Sequence, residues 1–187
     1  MPTELPATSG KSPAELVVEF VNTAELDEDR DDVGTPEALA GWFGAERLAP
    51  AGTAVAPAEH ARALAVREAL RDLLGTHNGL VADEAAATAV LDDAACRAGL
   101  GVRFRASGAA LEPEAAGAEA ALGRILAAVA ATMADGTWER LKACRDETCR
   151  WAFLDTAKNR SRAWCSMRSC GNRAKVRAYR DRTKGDE

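Results

Sequence analysis

The sequence predicts a mainly α protein with a small β-hairpin: a helical N-terminal domain, then a small cysteine-bearing C-terminal module that ends in a basic helix. Three observations lead there. Apolar residues at helical spacing, in alanine-rich surroundings, run through the first 136 residues. Several of these stretches open with a proline and an acidic residue, as helix first turns do. From Trp138 onward the composition becomes aromatic, cysteine-containing and basic. At 187 residues, 47% of them hydrophobic, the chain can bury one ordinary core and carry a small appendage.

Ser12-Pro13-Ala14-Glu15 supplies a cap, a first-turn proline and a carboxylate three residues past the cap. Leu16, Val17, Phe20, Val21 and Ala24 follow on one stripe, which reads as a helix, although β-branched Val17 and Val21 leave a short strand open. Glu25 to Gly34 reads as an acidic loop, either simply solvated or an arm that competes for the basic end of the chain. Thr35-Pro36-Glu37 opens a second helix through Leu39, Trp42 and Phe43. Pro57-Ala58-Glu59 opens a third, whose Leu64, Leu70, Leu73 and Leu74 form a stripe before Gly75. Ala82 to Arg97 and Ala115 to Ala134 are two more. Between them Val102-Arg103-Phe104 and Ala110-Leu111-Glu112 alternate about Ser107-Gly108, the pattern of a hairpin. Beyond a boundary at Asp135-Gly136-Thr137, Arg140 to Ala143 and Arg150 to Phe153 read as short strands, and Asn172 to Arg182 as a helix. The domains are therefore drawn at 12–136 and 138–183, each with its own core.

No apolar stretch approaches the roughly 20 residues of a membrane span. Met1 to Lys11 lacks a charged region followed by an apolar run, so a cytoplasmic location is expected. Disulfides are rare there, and five cysteines call for another reason. The net charge of −5 hides an asymmetry: residues 138–187 hold 14 Lys and Arg against 7 Asp and Glu, and residues 1–137 hold 10 against 22. Between Lys158 and Lys184 there are ten basic residues, most of them arginine, and one acid, Asp181. A module so biased is built to meet a polyanion.

Cys144 and Cys149 are separated by four residues, as are Cys165 and Cys170, with fifteen between the pairs. Zinc takes four thiolates at tetrahedral corners, and each tightly turned pair supplies one edge. A module with few aliphatic residues cannot hold together by burial alone, and metal binding supplies what is missing. The expectation is one structural Zn(II) per chain on Cys144, Cys149, Cys165 and Cys170. Four unrelated cysteines, two disulfides or an iron–sulfur cluster are the alternatives. Cys96 reads as a small core residue, and His60 and His77 lie too far away in sequence to be obvious ligands.

The segment from Cys144 to Arg180 resembles the CGNR zinc-finger family, named for the motif present here as Cys170-Gly171-Asn172-Arg173. Cys149-Arg150-Trp151-Ala152-Phe153-Leu154-Asp155-Thr156, Asn159-Arg160-Ser161-Arg162, Trp164-Cys165-Ser166-Met167, Lys175 and Arg177 carry the rest of the likeness. Ala157 and Ala163 depart from the usual pattern, where serine and arginine are expected. The N-terminal part resembles the ABATE-type domain found ahead of this finger, at Leu16-Val17-Val18-Glu19-Phe20-Val21-Asn22-Thr23 and Val66-Arg67-Glu68-Ala69-Leu70. The pairing implies a bacterial, stress-linked transcription regulator. The family's DNA-binding role is itself inferred from its basic finger, so resemblance and charge count as one argument.

Lys and Arg neutralise phosphates and release condensed counterions, and arginine adds forked contacts. Lys158, Arg160, Arg162 and Arg168 on the finger loop, with Arg173, Lys175, Arg177 and Arg180 on the helix, are the expected DNA contacts. Arg173 follows the last cysteine closely, so orienting the metal site is its alternative role. Trp151 and Trp164 either stack on unpaired bases or pack around the metal. Glu19, Asn22 and Arg67 are polar groups among apolar neighbours; they either line a small-molecule pocket or serve as support, Arg67 pairing with Glu19. No phosphate loop or nucleophile elbow is present, so the chain is not expected to be an enzyme. A DNA-binding regulator whose helical domain senses a ligand or forms a homodimer is the first reading. A zinc-stabilised protein-docking module and an RNA-binding protein are the others.

Overall fold

The computed structural model describes residues 10–106 and 108–184, with side chains as far as Arg180. Met1 to Ser9, Ser107, Gly185 to Glu187 and the side chains of Asp181 to Lys184 lie outside the described residues.

Helix α1, Pro13–Val21, is closed at its start by a reciprocal cap. The Glu15 backbone N–H donates to Ser12 Oγ (3.2 Å) and the Ser12 N–H to the Glu15 carboxylate (2.7 Å). That cap, with Pro13 in the first turn, decides for a helix against a strand; Val17, Phe20 and Val21 are fully buried. The acidic segment that follows is a small hairpin, with β1 (Ala24–Glu25) antiparallel to β2 (Arg30–Asp31). Its order comes from helix α3, Pro57–Thr76. Arg67 grips both carboxylate oxygens of Asp31 at 2.8 Å, and the fully buried Arg71 donates to the carbonyls of Val21 and Ala24. Those partners lie some forty residues downstream, beyond the reach of local sequence signals.

Helix α2, Pro36–Ala45, is capped by Thr35, and α4, Glu84–Ala98, by Asp83. Gly99 ends α4 in the left-handed region (φ 60°) and turns the chain into β3, Leu100–Arg105, which pairs antiparallel with β4, Gly108–Pro113. Helix α5, Gly117–Ala134, packs on α1, α4 and β4. At Gly123 an added Cβ would lie 2.7 Å from the Ala98 Cβ and 2.9 Å from that of Pro113, so only glycine lets these elements meet. By length and composition α5 could cross a membrane, against the expectation that nothing approaches such a span; 56% of it is buried inside this fold. Cys96, expected in the core, is exposed on α4.

Beyond a 3₁₀ turn, Trp138–Arg140, come β5 (Leu141–Ala143) and its antiparallel partner β6 (Ala152–Leu154). One π-helical turn, Met167–Gly171, leads into α6, Asn172–Lys184. The expectation of two separate cores is corrected here. Leu141, Ala143 and Ala152 belong to the same buried cluster as Val17, Phe20, Leu70 and Leu74, with β5 packed on α3 and β6 on α1. Side-chain amides pin both strands. Asn22 donates to the Ala152 carbonyl (2.9 Å) and accepts from its N–H (2.7 Å); buried Asn78 donates to the carbonyls of Ala143 and Ala163, both at 2.8 Å. The His77 ring bonds to the Leu141 carbonyl (2.8 Å) and meets Trp138 edge-on.

Alternation along β5 would put Lys142 in solvent, yet all three residues of the strand are buried. The Lys142 ammonium is satisfied by the fully buried Asp155 carboxylate (2.7 Å) and by the carbonyls of Arg160 and Arg162 (2.5 and 3.3 Å). Burial pushes the Asp155 carboxyl up, but the Lys142 ammonium and the N–H groups of Ala157 and Arg162 outweigh it and hold it below its usual range.

A core shared in this way makes the polar groups that clamp it costly to remove. Asn22→Ala and Asn78→Ala should each destabilise the whole chain by roughly 1–3 kcal/mol, as orphaned buried partners do; urea titrations in which either variant matches the wild type would show that the amide clamps are not needed. Lys142→Met should cost about 3–5 kcal/mol at neutral pH, because it leaves Asp155 buried and unpaired. Since the Asp155 carboxyl is depressed in the folded state, this pair stabilises above about pH 4, near the unfolded value, and its contribution fades as pH falls. The variant's deficit should therefore shrink towards acid; a deficit that is constant from pH 7 to pH 3 would contradict a stabilising role for the ionised pair.

Candidate metal centre

Two backbone features bring the first cysteine pair into position. The Asp146 carbonyl accepts from the N–H groups of Cys149 and Arg150, both at 2.9 Å, and Arg150 takes the left-handed conformation (φ 47°) that folds the loop back into β6. Arg150 is held there by Asp72 of α3 (2.6 Å). Of the second pair, Cys170 lies in the π-helical turn and Cys165 just before it. At Gly171 an added Cβ would meet the Met167 sulfur at 2.9 Å and Trp164 at 3.3 Å, so a larger residue there would have to displace the exposed Met167 side chain.

The structure brings the four sulfurs of Cys144, Cys149, Cys165 and Cys170 within 4.8 Å of one another. Cys149 to Cys165 is 3.6 Å and Cys165 to Cys170 is 3.5 Å, close to the roughly 3.8 Å edge of a tetrahedron with metal–sulfur bonds of about 2.3 Å. Trp151 and Trp164 pack against Cys144, Cys149 and Cys170, so both indoles form the wall of this cluster. Backbone N–H groups of Asp146 and Cys165 donate to the Cys144 sulfur, and that of Trp151 to Cys149. These donors suit thiolates. Left to themselves the thiols cannot all ionise: the hydrogen bond from Cys149 lowers Cys144 to about 5, that same contact and burial push Cys149 up, and burial pushes Cys165 to about 12. A divalent cation at the centre is the charge that would let all four ionise together, and four sulfurs complete its coordination with no position left for a substrate.

The basic residues fall into two groups. Arg173 and Arg177 reach towards the cluster while their side chains stay 45% and 56% exposed. Arg173 Nε lies 3.0 Å from the Asp146 carboxylate, its Nη2 lies 3.0 Å from the Cys170 sulfur and 3.2 Å from Asp27, and Arg177 Nη2 lies 3.1 Å from Asp146. Asp27, then Cys170, hold the Arg173 guanidinium charged above its usual range. Asp146 is fully buried, yet the Thr148 hydroxyl and Arg177 keep its carboxyl depressed against the effect of burial. Arg162 lies over the Phe153 ring (4.4 Å) and donates to the carbonyls of Trp164 and Cys165, while Arg160 pairs with Glu139 (2.6 Å). Lys158, Arg168, Lys175 and Arg180 lie on the exposed surface of the module. A groove of about 300 Å³ along α6 is lined by Asn172, Arg173, Val176, Arg177 and Arg180.

Glu19, Asn22 and Arg67 do not converge on a pocket. Glu19 pairs with Lys11, Asn22 holds β6, and Arg67 serves Asp31, Glu68 and Thr23; the anticipated Arg67–Glu19 pair is replaced by Arg67–Asp31. His60 bonds to the Val33 carbonyl (2.8 Å), away from the sulfurs. Sequence reasoning missed Asp146, Asn78 and Asp27. Asp146 carried a usable signal, since a carboxylate two residues past a ligand cysteine in a basic stretch needs a reason; Asn78 and Asp27 carried none, because their partners are remote in the chain.

No curated protein matches the chain. Residues 140–183 match the CGNR zinc finger, and residues 14–136 match the family described as "Putative stress-induced transcription regulator". With most of its length covered by that second match, the chain belongs to the ABATE family and carries a CGNR zinc finger at its C-terminal end.

Proposed function

We propose that this chain is a non-enzymatic, cytoplasmic transcription regulator whose finger holds one zinc on Cys144, Cys149, Cys165 and Cys170 and binds duplex DNA. The observation that carries the reading is an outward-facing basic surface fixed to a cysteine cluster of tetrahedral size. Lys158, Arg168, Lys175 and Arg180 supply the phosphate contacts, with Arg160 and Arg162 at the margin of the same module. The zinc is structural, and it presents these charges on a rigid frame. The helical domain provides the regulatory half, by binding a ligand or a second copy. Family membership supports the regulator class, and the charge pattern supports DNA as the partner.

Freshly reduced protein should contain about one zinc per chain by elemental analysis, and none in a Cys144→Ser, Cys170→Ser double variant. Iron with acid-labile sulfide in place of zinc would identify a cluster instead. Because β5 and β6 lie in the helical core, chelation should lower the thermal midpoint of the whole chain in one transition. A helical domain that keeps its midpoint while the finger melts would show that the metal stabilises the finger alone.

Replacing Lys158, Arg168, Lys175 and Arg180 together by Gln should weaken binding to duplex DNA and flatten its log–log salt dependence by roughly 0.9 for each phosphate no longer neutralised. Zinc content should be unchanged. Anisotropy titrations between low and moderate salt read both quantities. Equal affinity and slope in the variant would remove DNA binding from this surface, preference for single-stranded RNA would favour the RNA reading, and indifference of the wild type to every nucleic acid would favour protein docking.

A further inference from the structure

We infer that Arg173 is a positioning residue of the metal centre, and that through Asp27 it ties the helical domain's acidic hairpin to that centre. The inference rests on the metal reading above. Four thiolates around a divalent cation carry two negative charges in excess, and the fully buried Asp146 carboxylate adds a third. Buried charge of one sign is costly unless cations stand beside it. Among the described residues, Arg173 and Arg177 occupy that place, at 3.0 and 3.1 Å from Asp146.

Arg173 does more than balance charge. Its planar fork reaches a sulfur and two carboxylates at once, which a lysine ammonium on a flexible stem would not reproduce. The Nη2–H group donates to Cys170, and a hydrogen bond to a thiolate stabilises its charged form and fixes its direction. Nε and Nη2 therefore both face the chain rather than a phosphate. Asp27 comes from the turn between β1 and β2, 146 residues earlier, and the base of that hairpin is held by Arg67. A continuous set of contacts thus runs from α3 through Asp31, the hairpin and Asp27 to Arg173 and the Cys170 sulfur.

The test uses the full-length chain, titrated with Zn(II) against a chromogenic chelator at neutral pH, and with Co(II) as a spectroscopic stand-in. Arg173→Gln should weaken zinc binding by roughly 10–100-fold, the usual effect of removing a ligand's hydrogen-bond partner. Arg173→Lys should recover part of that affinity, and Asp27→Asn should weaken binding a few-fold although it lies in the other domain. The sulfur-to-cobalt charge-transfer band should shift in both Arg173 variants, a readout that looser packing alone would not move. Once saturated with zinc, Arg173→Gln should bind duplex DNA with the wild-type salt slope. Wild type that holds no metal overturns this inference and the metal reading together. Wild type that holds zinc while Arg173→Gln and Arg173→Lys match it in affinity and spectrum overturns this inference alone. So does a salt slope that flattens by about 0.9 in zinc-saturated Arg173→Gln, since Arg173 would then neutralise a phosphate.

Discussion

Leu141, Ala143 and Ala152 are buried together with Val17, Phe20, Leu70 and Leu74, and that burial fixes where the first two cysteines can be. Cys144 follows β5 directly and Cys149 lies shortly before β6, so the loop that carries them is tethered at both ends to strands that cannot move without opening the core. Hydrophobic burial alone would let a three-residue strand slide. The amides of Asn22 and Asn78 prevent this, because each needs a particular carbonyl or N–H of the hairpin to be satisfied. Two asparagines and a few small apolar residues therefore do what a longer sheet would otherwise do.

The same frame sorts the charges. A basic stretch of sequence suggests a uniformly free basic surface, yet Asp146 and the cysteine cluster engage Arg173 and Arg177, and Arg162 lies over Phe153. All of these side chains keep exposed surface, but several are tied by the finger's own carboxylates, carbonyls and rings. The acidic hairpin contributes in the opposite sense. Its Arg30 is surrounded by Glu25, Glu28 and Asp32, leaving Asp27 and Asp31 to reach the cations of other elements. The strong negative charge of the N-terminal region is thus partly structural, since it holds α3 and α6 to the same short segment.

The helices are legible in the sequence because their signals are local: Ser12 with Glu15, Pro36 after Thr35, and Asp83 before an alanine run each act within one turn. The metal cluster is legible for a similar reason, since a repeated four-residue spacing is a property of the chain itself. What stays hidden depends on contacts over long sequence distances. Glu25 to Gly34 reads as an acidic loop, solvated or a competing arm, until Arg67 and Arg71 are brought to its base, and alternation leaves Lys142 exposed until Asp155 is placed beneath it. Asn22 stands out as a polar group on an apolar face, but a ligand pocket and a backbone clamp look alike until the other side is known. The expectation of separate cores fails in the same way, because a change in composition at Trp138 marks a change in chemistry and not a gap in packing.

The two regions also share their stability. A metal that binds only the folded chain stabilises whatever folds with its site. If the finger were tethered by a linker, that stabilisation would stop at Trp138. Here β5 and β6 are part of the wall that α1 and α3 pack against, and Arg150 and Arg173 carry ion pairs from the cysteine loops to Asp72 on α3 and Asp27 on the hairpin. Structural zinc binding of roughly 10–16 kcal/mol in isolated fingers is comparable to the roughly 5–15 kcal/mol that holds a whole domain together. With the finger's strands buried in the helical core, that contribution is expected to spread over both regions. Rearrangement of α1 or α3 would in turn be felt at the sulfurs, because linkage is reciprocal. The physical connection between the helical domain and the finger is then the shared core, with the Asp27–Arg173 contact as a direct electrostatic link.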